Sequence, residues 1–231
     1  MTKLIFFATI EAENINLEQL IMKTVVVYQE QFEIRNRLFD FAVTIEELRS
    51  IALEAVAARN EASPLHPANA PGTYSYMSGV ATLRMVFLNK PGWEITKHNG
   101  VEGISNKKLG AVILFQNVDM ACGSDDPCPI SSKGNGVAGL VENPAGYLWP
   151  YMEEEDKSRE NTHVWFFCVS CNDSNVKAEL SRPRAIQNGS FGECAERIFI
   201  IQDDDWNGPS DKANKNDHGD QDFDIHVSKK A

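Results

Sequence analysis

Residues 93–119 read WEITKHNGVEGISNKKLGAVILFQNVD, and this stretch decides the fold class. Three short apolar segments, the last running from Ala111 to Phe115, are separated by two polar reversals, His98-Asn99-Gly100 and Ser105-Asn106-Lys107-Lys108. Asn-Gly between such segments is the strongest short-range hairpin signal, because both central residues of the turn must accept positive φ. The stretch therefore reads as a β-meander at the centre of the fold.

Upstream of the meander the period changes. An apolar run from Leu4 to Ile10 reads as a buried strand over residues 3–9. It is too short to span a bilayer and lacks the flanks of a signal peptide. From Leu17 through Leu20, Ile21, Val25, Tyr28 and Phe32 towards Leu38 the apolar residues fall on one helical stripe. Thr44-Ile45-Glu46-Glu47 forms a capping box, which starts a second helix through Leu48, Ile51, Ala52 and Val56 to about Asn60. Two helices with a short link read as an antiparallel pair.

Residues 61–72, EASPLHPANAPG, read as a loop and mark a boundary between a helical layer and a β-rich remainder. From Thr73 the alternation of Leu83, Met85 and Phe87 predicts strands leading to a turn at Pro91-Gly92. After Asp119 a Gly- and Pro-rich stretch, residues 120–150, reads as a long loop, and loops of that length inside a domain are usually functional. Further strands are expected at His163 to Val169, Val176 to Leu180 and Arg197 to Gln202, with an Asn188-Gly189 turn before the last. The order predicts an α+β domain over 1–202: an N-terminal strand and an antiparallel helix pair packed on a mostly antiparallel sheet. Residues 203–231 carry eight acids against four lysines and read as an acidic tail.

The 231 residues carry a net charge of −11, which argues against broad phosphate neutralisation of a nucleic acid. A local basic patch of Lys177, Arg182, Arg184 and Arg197 is the one route left to such a partner. Five cysteines, an odd number, agree with a reducing compartment, so the expected location is cytoplasmic, with no membrane partner.

Gly134-Asn135-Gly136-Val137-Ala138-Gly139 has the spacing of a dinucleotide fingerprint, but a poor strand precedes it and Pro144 follows, so no dinucleotide is expected. Ser131, Ser132, Lys133, Gly134 and Gly136 are instead candidates for an anion-holding nest. Asp203, Asp205, Asn207 and Asp211 follow the opening of a calcium loop without its twelfth-position Glu. Cys168 and Cys171, with Cys194 downstream, form a partial zinc set, one pair where two would be expected. Asp119, Glu102, His98 and Glu142 are the acids and base that catalysis would draw on.

Those features order three functions. First comes a non-catalytic binding or accessory-subunit role with a protein partner, acting through the 120–150 loop and the acidic tail. The second is a metal-dependent hydrolase or nuclease with carboxylates near Asp119. The third is an acidic mimic of nucleic acid that inhibits a DNA- or RNA-binding enzyme.

Overall fold

The computed structural model describes residues 24–98, 100–149, 162–172 and 175–202. The strand expected over 3–9 and the acidic tail lie outside these residues. Strand β1 (Val26–Tyr28) leads into helices α1 (Gln31–Phe39), α2 (Ile45–Asn60) and α3 (Ala70–Leu88). The meander follows as β2 (Glu94–His98), β3 (Val101–Asn106) and β4 (Ala111–Asn117). A long crossover then carries α4 (Asn135–Glu142) and α5 (Pro144–Leu148). Strands β5 (His163–Asn172) and β6 (Asn175–Pro183), the small hairpin β7 (Ile186–Gln187) and β8 (Ser190–Phe191), and β9 (Cys194–Ile201) complete the order.

The class is α+β. Seven strands form one sheet in the order β1-β9-β6-β5-β4-β3-β2. Four of its neighbouring pairs are antiparallel, while β4–β5 and β1–β9 are parallel. The meander forms as its turns dictate: Gly100 takes φ +76° and Gly110 φ +59°, closing β2–β3 and β3–β4. Gly103 is required for a different reason, since a Cβ there would lie 2.5 Å from the Ile113 carbonyl oxygen on the paired strand.

Helix α2 begins where the capping box places it. The Thr44 hydroxyl accepts from the Glu47 amide at 3.1 Å, and the Glu47 carboxylate accepts from the Thr44 amide at 2.9 Å. The buried residues of α2, Ile45, Leu48, Ile51, Ala52, Ala55 and Val56, make one stripe against the sheet and α3.

Three expectations are overturned. Residues 73–88 are helical, not β, and the helix starts at Ala70, inside the segment read as a loop. Pro71 is tolerated because it sits in the first turn, where its missing N–H has no intrahelical partner to lose. The buried residues Ser75, Gly79, Thr82, Leu83 and Phe87 recur at helical spacing, but three of them are small or polar and hid the stripe. Gly79 is where the Phe115 ring presses closest, 2.4 Å from where a Cβ would stand.

The helical stripe read through Val25 and Tyr28 is also broken. Val26–Tyr28 is an edge strand parallel to β9, in keeping with its β-branched run. The antiparallel pair is thus α2 with α3, registered by Lys90 Nζ on the Glu47 carboxylate at 2.8 Å and by Ser78 donating to the Glu54 carbonyl at 3.1 Å.

Finally, of the segment read as a loop over residues 120–150, the described residues 120–149 are not free. The sheet is buried on both faces: Ile113, Phe115, Trp165, Phe167, Leu180 and Ile198 meet the helices. Val112, Leu114, Val164, Phe166 and Cys168 meet Val118, Ala121 and Leu140 of the crossover. The crossover is therefore a second covering layer. Among the described residues, no helix is long and apolar enough to cross a membrane.

Gly103→Ala should lower stability by about 1–3 kcal/mol, because the methyl group meets backbone that cannot turn aside. The measurement is the urea midpoint, and an unchanged midpoint would contradict the strand register.

Candidate functional site

Along the sheet face under the crossover, Gln116, Cys168 and Glu179 are paired in register across β4, β5 and β6. All three are buried, so the covering layer must satisfy whatever polar groups they present. At one end of this row Glu179 holds Arg197 through two hydrogen bonds of 2.8 and 2.7 Å. Glu179 also accepts from the Ser181 hydroxyl at 2.5 Å and from the Cys122 amide. Asp126 of the crossover lies 3.8 Å from Arg197 and accepts from the Cys194 amide at 2.8 Å. Burial and the nearby Glu179 carboxylate push the Cys122 and Cys168 thiols far up, which leaves them as thiols.

At the other end of the row the Gln116 carbonyl oxygen accepts from the Lys133 ammonium, while its amide donates to the Asn117 carbonyl at 2.7 Å. Lys133 is placed from above. Its amide donates to the Gly189 carbonyl at 2.7 Å, across the β7–β8 turn where Asn188 and Gly189 take φ 52° and 77°. That turn is the Asn-Gly reversal of the sequence, and it presses on Ser132 so closely that a Cβ on Gly189 would meet the hydroxyl at 2.0 Å. A distant hairpin thus fixes the backbone from which Lys133 reaches down.

Asn117 ties the third wall. Its carbonyl group accepts from Ser75 at 2.8 Å, its amide donates to the Gly72 carbonyl at 3.0 Å, and its backbone oxygen accepts from Ile130 at 3.1 Å. The amino end of α3, the end of β4 and the start of the 130–134 segment therefore meet at one residue.

Between these walls lies a cleft in two halves. One, of about 290 Å³, is lined by Lys133, Ser131, Ser132, Gly134, Tyr76 and Glu102. The other, of about 540 Å³, is lined by Arg59, Asn69, Gly72, Thr73, Tyr76 and Ile130. Tyr76, Gln116 and Ser131 line both, so the halves adjoin. The Tyr76 ring stands edge-on to Phe115, and burial followed by the Glu102 charge raises its phenol, which stays a neutral donor. Burial pulls the Lys133 ammonium down to about 8, because its partner is a neutral amide oxygen and not a carboxylate.

The candidate residues read from the sequence scatter. Ser132, Lys133 and Gly134 share the cleft, and Gly136 is the second residue of α4, outside the cleft lining. The Gly134–Gly139 motif opens a helix, which the sequence reading did not allow, yet no β-strand leads directly into it. Glu102 faces the same half-cleft, with its carboxylate held by Arg84 and by Lys97 at 3.7 Å, and these cations keep it below the ordinary value. Asp119 is a turn residue, its Oδ1 accepting from the amides of Met120 at 2.6 Å and Cys128 at 2.9 Å. Glu142 is exposed at the far end of α4, and the side chain of His98 at the end of β2 lies outside the described residues.

Cys168 and Cys171 stand three apart on β5 and point to opposite faces, Cys168 into the crossover layer and Cys171 towards the helices, so they do not converge on one ion. Among the described residues no group of three or more His, Cys, Asp or Glu side chains is placed to hold a metal ion. Asp203, Asp205, Asn207 and Asp211 lie outside those residues. The basic patch is divided: Arg197 is 2% exposed and bound to Glu179, Arg182 lies over Trp165 with Glu196 at 3.3 Å, and Arg184 is exposed, donating to the Thr24 carbonyl at 3.3 Å. For Arg197 the expectation of a surface cation fails because alternation puts it on a face the crossover covers.

Gln116, Tyr76 and Arg59 were missed by sequence reasoning. No local motif marks them, and only the α3 misreading stood in the way of placing Tyr76 beside the meander. Compared with protein-family models, with curated proteins and with solved structures, the chain matches none.

Removing the guanidinium strands a fully buried carboxylate, so Arg197→Ala should destabilise by roughly 3–5 kcal/mol. Chemical denaturation measures it, and a loss below 1 kcal/mol would mean that Glu179 is reached by water.

Proposed function

We propose that the protein is a non-catalytic binding protein that takes an anionic group into the cleft under residues 131–134. The supporting observation is Lys133. Its ammonium is more than half-buried in a cleft, yet the partner it finds is the amide oxygen of Gln116. A buried cation without a carboxylate costs stability, and such costs are kept where a ligand supplies the missing charge. Ser131 and Ser132 add hydroxyls beside it, and Gly134, the residue that opens α4 without a side-chain cap, lines the same half-cleft.

The wider role is that of an accessory subunit whose protein partner presents or shares this ligand, working in the cytoplasm. None of the five cysteines is in a disulfide, which suits a reducing compartment. The binding reading is preferred to a hydrolase because Asp119 and Glu102, the second of which lines the cleft, are already engaged by backbone amides and by Arg84.

Two outcomes test the site together. Lys133→Met should abolish binding of methylphosphonate in a calorimetric titration, and at pH 7 it should raise the melting temperature by about 2–4 °C, as relief of ~1 kcal/mol would. A substitution that costs binding without adding stability would mean that Lys133 is paired some other way. The pH dependence has a definite sign. The folded value of about 8 lies below the ordinary 10.5, so between these limits the unfolded chain holds more protons and wild-type stability rises with pH. The gap between Lys133→Met and wild type should therefore close as pH rises through that window.

A further inference from the structure

The cleft continues past Tyr76, and its second half carries a cation of its own. Arg59, in the last turn of α2, lines that half. Among the described residues no carboxylate lies within ion-pair distance of it, while Arg37, Arg84, Arg182 and Arg197 all hold one. Around Arg59 the wall is the first turn of α3, where Gly72 leaves open space at its Cβ position and Thr73, whose hydroxyl donates to the Asn69 carbonyl at 3.0 Å, lines the same half. Along the cleft, beside the polar Gln116 and Ser131, stands partly exposed apolar surface: Ile130 is 66% exposed and Tyr76 37%, while Pro71 adds a third apolar side chain.

A cleft with a cation towards each end and apolar surface along its length matches a ligand of the same pattern. We infer that the ligand is an elongated dianion: one phosphate- or carboxylate-type group sits at Lys133, an apolar or aromatic spacer lies along Tyr76 and Ile130, and a second anionic group sits at Arg59. This rests on the anion site at Lys133 and extends it. Arg59 then acts as a specificity residue. It separates two-headed ligands from one-headed ones by making the second contact intramolecular.

The experiment uses the full chain and a series of α,ω-alkane bisphosphonates of increasing length, with methylphosphonate as the one-headed reference, in calorimetric titrations at pH 7. One bisphosphonate of matching length should bind about tenfold or more tightly than methylphosphonate, with shorter and longer members falling off on either side. Arg59→Ala should remove that advantage and leave methylphosphonate binding within about twofold of wild type, and Arg59→Lys should restore part of it. Lys133→Ala should weaken both classes of probe.

Bisphosphonates of every length binding no better than methylphosphonate would overturn the two-headed ligand and leave the single anion site standing. An advantage that survives Arg59→Ala would do the same. Failure of methylphosphonate itself to bind wild type would overturn the anion site, and this extension with it.

Discussion

A carboxylate at 0% exposure cannot be left alone, and in this fold Glu179 sits in the middle of the sheet on the face away from α1–α3. Its partner Arg197 comes from the neighbouring strand and meets both carboxylate oxygens, but that pair leaves further acceptor positions on the carboxylate and a guanidinium edge still to be met. The crossover meets both, the Cys122 amide at Glu179 and Asp126 at Arg197. Burying two charges is favourable only when the remaining hydrogen-bonding positions are filled, so the crossover cannot lift from this end without stripping the pair of those partners. The layer is pinned by polarity at one end and by Leu140, Val118 and Ala121 along its length.

The opposite end of the same row is finished differently. Gln116 is as buried as its neighbours, but it meets a lysine where a neutral donor would have served. Lys133 gains one hydrogen bond and loses water, and its ammonium is held back by that burial. One sheet face thus carries two cations with opposite settings: Arg197 is saturated by acids, and Lys133 is left short of one. The first setting suits structure and the second suits a ligand, which is why the cleft and not the ion pair carries the functional reading.

The geometry that makes the cleft follows from junctions between distant segments. Asn117 joins the start of α3 to the end of β4, and the Asn188-Gly189 turn joins the β7–β8 hairpin to the backbone of Lys133. β4 and β5 run parallel, so the chain must cross over between them, and the crossover necessarily returns along a face of the sheet. The cleft opens where that return begins, beside the carboxyl end of β4, the position that open sheets with parallel strands commonly use for ligands.

Local chemistry was enough to read some of this from the chain alone. The Thr44–Glu47 box, the two meander turns, the Asn188-Gly189 reversal and the apolar strands at His163 and Arg197 each carry their instruction within a few residues, so the α+β class followed from them. The segment Ser132 to Gly134 was read as a candidate for holding an anion because serines, a lysine and glycines in one turn suit an anion, and the structure places these residues in the lining of the cleft. What lay beyond the sequence was set by contacts between residues far apart in the chain. Helix α3 was misread because its buried stripe holds Ser75, Gly79 and Thr82, chosen to fit the Phe115 ring and Asn117, and not for hydrophobicity. The crossover looked like a free loop because its apolar residues are sparse, and only the sheet beneath shows that they are enough to seal it. Whether an arginine is a surface cation, a buried partner or the far end of a cleft depends on what packs over it, and for Arg197 and Arg59 that was decided only when the layers came together.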